Sequence, residues 1–208
     1  MAKIFIKFRT ASTGVYFDMN SDDLNSTEIQ KRYNIDKSEV WQRGPIEGVP
    51  GLLQPVAHAL LQSIEDVEAC LNNFSSDLLW IKPLDMASVG FHLQHLTGVV
   101  DRLFTYARGE RLLDDQLNAL ASEGKPPFDG CLAQHLIAKF KTQVGKAITQ
   151  LKTTNETTLT EVRGVGRKQI PSTVIGLLFH AAEHAQRHVG QLLVTSKLVS
   201  EYSKSIGQ

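Results

Sequence analysis

Residues 172–198 read STVIGLLFHAAEHAQRHVGQLLVTSKL, and this stretch decides how the chain folds. Its apolar residues recur at the three- and four-residue spacing of one helical face. That face carries Val174, Leu177, Leu178, Ala181, Ala185 and Leu192. The opposite face carries Glu183, Gln186, Arg187 and Gly190. The pattern predicts an amphipathic helix whose apolar face is buried against other helices.

The same periodicity recurs upstream of this helix. It predicts long helices over residues 52–74, 86–107 and 131–151, and a short helix over 112–124. For the second long helix, Asp85 is the predicted N-cap and Gly109 the stop. Residues 158–171, TLTEVRGVGRKQIP, break the period and predict a small hairpin that turns at 164–166. The predicted fold is all-α: an antiparallel four-helix bundle with an additional short helix.

The N-terminal stretch differs from the rest of the chain. MAKIFIKFRT predicts a short strand, and the polar residues after it contain few apolar anchors. We therefore predict two parts: a partly ordered appendage over residues 1–40 and the bundle domain over 41–208. Met19 is an alternative start of the protein.

Composition restricts the class of protein. Lys+Arg and Asp+Glu both number 22 in the 208 residues, so a broad basic surface for nucleic acid is not expected. No apolar run is long enough to span a bilayer. Cys70 and Cys131 lie far apart without a CxxC spacing, which argues against a disulfide scaffold or a cysteine zinc site. These features favour a soluble protein in a reducing, cytoplasmic setting.

Three histidines of the last helix are spaced four residues apart. Side chains at that spacing lie about 40° apart on one helical face, so two neighbouring imidazoles can bind one ion. On the helical wheel His188 and His184 lie nearest the apolar centre, and His180 lies at the rim. Spacing alone leaves two interpretations open: a metal site, or hydrogen-bonded histidines in the core.

A third ligand would come from a facing helix. Residues 86–106, MASVGFHLQHLTGVVDRLFTY, supply His92 and His95. Gln94, Thr97, Asp101, Thr105 and Arg108 mark the predicted solvent face of this helix. His92 then lies nearer the apolar centre than His95, so wheel geometry alone slightly favours His92. His58 and His135 lie on other predicted helices and are weaker candidates.

At this point the residues resemble a known family. SVGFHLQHLTGVVDRLFTY, followed about ninety residues later by HAAEHAQRHVGQLL, resembles the bacterial DinB/YfiT-like superfamily. The resemblance covers roughly residues 40–200. It implies a four-helix bundle with a central metal ion held by one histidine of the second helix and two of the last. When the family motif is matched to this sequence, the implied ligands are His95, His184 and His188. The resemblance then implies that His92 lies in the pocket or just outside the ligand shell.

The resemblance also implies a chemistry. Three neutral imidazoles suit Zn²⁺ or Ni²⁺, and a three-ligand ion keeps a position open for water or substrate. Characterised relatives are described as thiol-dependent transferases or isomerases that use low-molecular-weight thiols such as bacillithiol or mycothiol. We therefore expect a metal-dependent enzyme that activates a small thiol or water. The alternative is a non-catalytic metal-binding protein, in stress response or ligand binding, with the same three-histidine site.

Other side chains are candidates for the pocket. Gln191 shares the arc of His184, and Tyr106 follows His95 by eleven residues on the same side. Residues 180–184, HAAEH, also match a metalloprotease pattern with Glu183 as the base, but Glu183 lies on the predicted solvent face. We also expect a homodimer, with the amphipathic stretch around Phe140 as the pairing surface.

Overall fold

The computed structural model describes residues 38–206, and the residues from Glu39 onward form one compact unit. Its five α-helices are α1 (Gln54–Cys70), α2 (Val89–Ala107), α3 (Asp114–Ala121), α4 (Ala133–Thr153) and α5 (Val174–Ile206). Its two strands are β1 (Val162–Val165) and β2 (Ile170–Thr173). Short 3-10 turns occupy Val40–Arg43, Gly51–Leu53, Ser76–Leu78, Pro83–Asp85 and Glu156–Thr158. The predicted strand at 1–10, the alternative start at Met19 and residues 1–37 of the predicted appendage lie outside the described residues.

The four long helices form the predicted bundle, so the all-α prediction is confirmed. α2 packs against α5 and α4, and α1 packs against the same two helices. The core between them is aliphatic and aromatic, since the largest fully buried side chains include Leu60, Leu93, Leu96, Phe104, Phe140, Leu151, Leu178 and Leu192. The packing of α2 against α5 matters most for function, because these helices carry the candidate histidines.

The start of α2 differs from the prediction. Asp85 ends a 3-10 turn with a positive φ of 60°, so it precedes the helix instead of capping it. The N-cap is Ser88, whose buried Oγ accepts a hydrogen bond of 3.1 Å from the backbone N–H of Phe91. Ser and Asp are both preferred N-caps, and the turn at Asp85 decides between them. α2 therefore begins at Val89.

Ser88→Ala should lower the free energy of unfolding by about 1 kcal/mol, because it leaves the partly buried N–H of Phe91 without its acceptor. Urea denaturation measures the change. The matched control is Ser75→Ala, since Ser75 is an exposed N-cap that makes no side-chain capping bond. Equal effects of the two substitutions would contradict the capping role.

The predicted solvent face of α2 is partly covered. Thr97 and Thr105 are buried. The short helix α3 lies against this face, where Gln116 donates hydrogen bonds to Asp101 Oδ2 at 2.8 Å and to Thr105 Oγ1 at 2.9 Å. The helical wheel assigned these residues to the solvent face because it takes no account of neighbouring elements. α3 and the segment after it therefore form an additional layer beside α2.

The predicted hairpin is confirmed, but its turn lies further along the chain. β1 and β2 pair antiparallel, with Val162 opposite Thr173 and Val165 opposite Ile170. Gly164 therefore lies within β1, and the turn runs from Gly166 to Gln169, which both have positive φ. The last helix also extends eight residues beyond its predicted end at Leu198.

Phe140, around which the pairing surface was predicted, does not lie at the surface. Its side chain is fully buried in the core of the bundle, so it is not available at a surface. The homodimer itself stays a prediction. Among the described residues, no helix is long and apolar enough to cross a bilayer.

Candidate metal centre

Three imidazoles meet between α2 and α5. His184 and His188 lie one turn apart on α5, and His95 faces them from α2. One ring nitrogen from each residue lies within 4.8 Å of the other two. The ring centroids are 4.4 Å apart for His95 and His188, and 4.7 Å apart for His184 and His188. The helix packing therefore converges these three side chains on one point.

The distance between His95 and His184 suits a shared ion. Their Nε2 atoms are 3.1 Å apart. Two ligands of a tetrahedral zinc ion, with bonds of roughly 2.0–2.1 Å, are separated by about 3.3 Å. The buried Nδ1 of His184 has no hydrogen-bond partner among the described residues. This nitrogen is not the one that faces His95, so an ion shared through Nε2 would leave Nδ1 unpartnered.

His92 lies behind the three-histidine cluster. It is 4% exposed, and its Nδ1 lies 3.0 Å from Nδ1 of His188. Within the described residues, the group of His95, His184 and His188 does not include it. His92 therefore contacts the back of His188, in agreement with the wheel, which placed it nearest the core.

Two histidines of the cluster, His184 and His188, and the adjacent His92 are held neutral. Burial, with a smaller contribution from repulsion by His95, lowers the pKa of His92 and of His188 to about 4. Burial and then His95 also lower the pKa of His184. Neutral imidazole is the form that binds metal, because protonation would remove the lone pair. At neutral pH these rings are ready to act as ligands.

Two further charged side chains flank the site: Arg102 on α2, and Glu123 just after α3. His95 Nδ1 lies 2.6 Å from Glu123 Oε2, and Arg102 Nη1 donates to Glu123 Oε1 at 2.8 Å. The Glu123 and Arg102 side chains are only 7% and 11% exposed. Burial pushes the pKa of Glu123 upward, but hydrogen bonds from His95 and Arg102 outweigh it and hold that pKa below its ordinary value. Glu123 is therefore an ionised carboxylate beside the cluster.

The loop after α3 brings Glu123 to His95. Gln94, one residue before His95, donates to Lys125 O at 2.8 Å and accepts from Gly124 N–H at 2.7 Å. Gly124 has a φ of +87°, a conformation that favours glycine. The ring of Phe91 stacks on His95, with 5.3 Å between centroids. Neither Glu123 nor Arg102 was predicted as a site residue from the sequence.

Gln191 and Tyr106 are the two remaining pocket candidates. Gln191 is exposed on α5. Tyr106 packs against the hydrophobic core, and its eleven-residue separation from His95 corresponds to about 16 Å along the α2 axis. The structure therefore does not bring Tyr106 to the cluster.

His180, Glu183 and His184 form a second group of ligand atoms within 4.8 Å of one another. This group is less suited to a cation. Arg187 Nη2 contacts both Glu183 oxygens, at 2.9 and 2.7 Å. His180 is exposed, and its Nδ1 lies 2.6 Å from Glu183 Oε1. A guanidinium beside the carboxylate opposes a bound cation.

Comparison with known proteins places the chain in a family. The sequence model of the DinB superfamily matches residues 59–192, which contain all three histidines of the cluster. The chain belongs to the DinB superfamily. DinB proteins are associated with metals, and the cluster of His95, His184 and His188 could bind an ion. No curated protein matches the chain in sequence.

A solved structure shares the DinB fold. It is described as the crystal structure of a conserved protein from Enterococcus faecalis. The two chains are 19% identical with a TM-score of 0.58, and the alignment covers 72% of this chain and 97% of the other. At that identity the likeness concerns the fold alone.

Proposed function

We propose that this DinB protein binds one divalent metal ion through His95, His184 and His188, and that it is a metal-dependent enzyme that activates a small thiol or water. Transfer or isomerisation at a thiol sulfur is the reaction class we favour. The observation that supports the metal is the convergence of three imidazoles from two helices, two of them with lowered pKa. The reaction class rests on the family resemblance.

The donor set favours Zn²⁺ or Ni²⁺, since imidazole nitrogens suit borderline divalent ions. Such an ion, when bound, lowers the pKa of a coordinated thiol or water and supplies a nucleophile near neutral pH. His92 contacts the back of His188 and is not part of the ligand group. Three protein ligands would leave a coordination position for a small molecule, as in catalytic zinc sites.

One observation favours the alternative, a non-catalytic metal-binding protein. A general base needs an unengaged basic group near the reacting atom. The nearby carboxylate Glu123 is engaged by His95 and Arg102, and Glu183 is engaged by His180 and Arg187. If the protein is an enzyme, neither carboxylate would be free to take the proton of a thiol bound at this site, and the proton would pass to solvent or to a second substrate. This difference makes turnover the deciding measurement.

The experiment compares metal-stripped and metal-loaded protein. Calorimetric titration with Zn²⁺ and with Ni²⁺ should give one ion per chain. Loaded protein should then join low-molecular-weight thiols to an electrophile such as chlorodinitrobenzene faster than the stripped protein or free metal does. Stoichiometric binding without turnover would favour the non-catalytic alternative. Absence of stoichiometric binding would overturn both functions.

The cellular setting follows the same proposal. We place the protein in the cytoplasm, because Cys70 and Cys131 are free thiols and low-molecular-weight thiols are cytoplasmic substrates.

A further inference from the structure

A chain of charged side chains ends on His95. Arg102 contacts one oxygen of Glu123, and the other oxygen of Glu123 contacts His95 Nδ1. The remaining nitrogen of His95, Nε2, faces His184. Each of the two Glu123 oxygens thus has one partner, and His95 has the carboxylate on one side and the cluster on the other.

The chemistry of these groups fixes the proton on His95. An ionised carboxylate only accepts hydrogen bonds, so His95 Nδ1 must carry the hydrogen. In the neutral ring the lone pair then lies on Nε2, the nitrogen that faces the cluster. In known metal sites, carboxylates in this position orient the ligating histidine and increase its basicity.

We propose that Glu123, held by Arg102, is the positioning residue of the metal site: it keeps His95 in the Nδ1–H tautomer and so presents Nε2 to the ion. The proposal rests on the metal binding proposed above. It adds two residues on which the affinity of the site depends although neither contacts the ion.

Gly98 shows that the backbone leaves room for this pair. It lies on α2, three residues after His95. A Cβ at this position would overlap Arg102 Nη1 and lie 2.6 Å from Glu123 Oε1. These atoms are the ends of flexible side chains, so an alanine would displace the Arg102–Glu123 pair without forcing the helices apart.

The first test is Glu123→Gln. The Arg102 guanidinium can only donate hydrogen bonds, so its partner should be the oxygen of the new amide. The NH₂ of that amide then faces His95 Nδ1 and donates a hydrogen bond to it. The ring should change to the Nε2–H tautomer, which removes the lone pair from the side of the ion. We expect the Zn²⁺ dissociation constant to rise about 10- to 100-fold. The matched control, Glu68→Gln, breaks an exposed ion pair with Lys141 and should leave the constant unchanged.

The second test is Gly98→Ala, which changes no charged or ligating group. It should weaken Zn²⁺ binding by displacing Arg102 and Glu123, even though alanine favours a helix more than glycine does. Gly145→Ala on α4 is the control, because nothing lies within 4 Å of its added Cβ. That variant should melt at or above the wild-type temperature and bind Zn²⁺ as wild type does.

The tautomer is measured in metal-free protein, so this readout does not depend on metal binding. Long-range ¹H–¹⁵N correlation spectra at pH 7.5 should show His95 protonated at Nδ1 in wild type and at Nε2 in Glu123→Gln. Unchanged tautomer and unchanged Zn²⁺ affinity in Glu123→Gln would overturn the positioning role while the metal site stands. Wild-type protein with the expected tautomer but no Zn²⁺ binding would instead overturn the proposed function.

Discussion

Metal binding should be lost when His184 is replaced by alanine, while the bundle stays folded. His184 supplies one of three ring nitrogens, and its Nε2 lies 3.1 Å from that of His95. The two ligands that remain would come from different helices, with no chelating pair on α5. We expect Zn²⁺ affinity to fall at least 100-fold and metal-dependent thiol transfer to disappear. Titration calorimetry and the thiol assay measure the two losses.

His180→Ala is the matched control for this substitution. His180 lies one turn earlier on the same helix, is exposed and bonds Glu183. It belongs to the second ligand group, not to the proposed site. His180→Ala should therefore bind Zn²⁺ almost as wild type does. If it weakens binding as much as His184→Ala, the ion occupies the group with Glu183 and the proposed site is wrong.

The fold should survive because its core does not depend on the ion. The fully buried side chains that join the four long helices are aliphatic or aromatic, such as Leu60, Leu93, Phe104, Phe140 and Leu178. A bound ion should add only the binding contribution, about 2.7 kcal/mol at a free concentration 100 times the dissociation constant. Chelation should lower the melting temperature measured by circular dichroism and leave the transition cooperative. Loss of cooperative folding on chelation would instead make the metal a structural element.

The fold was predictable because helical periodicity is a local property. The apolar face of residues 172–198 predicted α5, and the i, i+4 spacing placed His184 and His188 together on it. The wheel also ordered His92 and His95 by burial, since His92 is nearly inaccessible and His95 is half-buried. The choice of His95 over His92 as the third candidate ligand came from the family motif, because wheel geometry favoured His92.

The parts of the site that the sequence did not predict depend on contacts between distant elements. Glu123 follows His95 by 28 residues and reaches it only because the loop after α3 folds back onto Gln94. No periodicity links these positions. The same loop and helix cover Thr97 and Thr105, which the isolated wheel assigned to solvent. The N-cap predicted at Asp85 was wrong for a similar reason. Asp85 and Ser88 are both residue types that cap helices, and the choice between them depends on the turn before α2.

Acid should destabilise the metal-free protein between pH 6.5 and pH 4. In the folded state the pKa values of His92 and His188 are about 4, whereas an unfolded histidine titrates near 6.5. In this window the unfolded chain binds more protons than the folded one, so the free energy of unfolding falls as pH falls. The stabilisation is fully present above pH 6.5 and is lost as pH approaches 4. For His92 alone, a shift of this size corresponds to on the order of 3 kcal/mol.

The contribution of His92 can be isolated by His92→Gln, which cannot titrate but keeps an amide near Nδ1 of His188. Urea denaturation of metal-free protein at pH 7, 5.5 and 4.5 should show a shallower loss of stability in this variant than in wild type. His135→Gln is the control. His135 is exposed near the start of α4 and accepts from Leu132 N–H at 3.0 Å, a bond that glutamine can replace. Its pH dependence should equal that of wild type. A wild-type stability that is flat from pH 7 to 4.5 would mean that the cluster is not held neutral by burial, and the protonation state assigned to the site would be wrong.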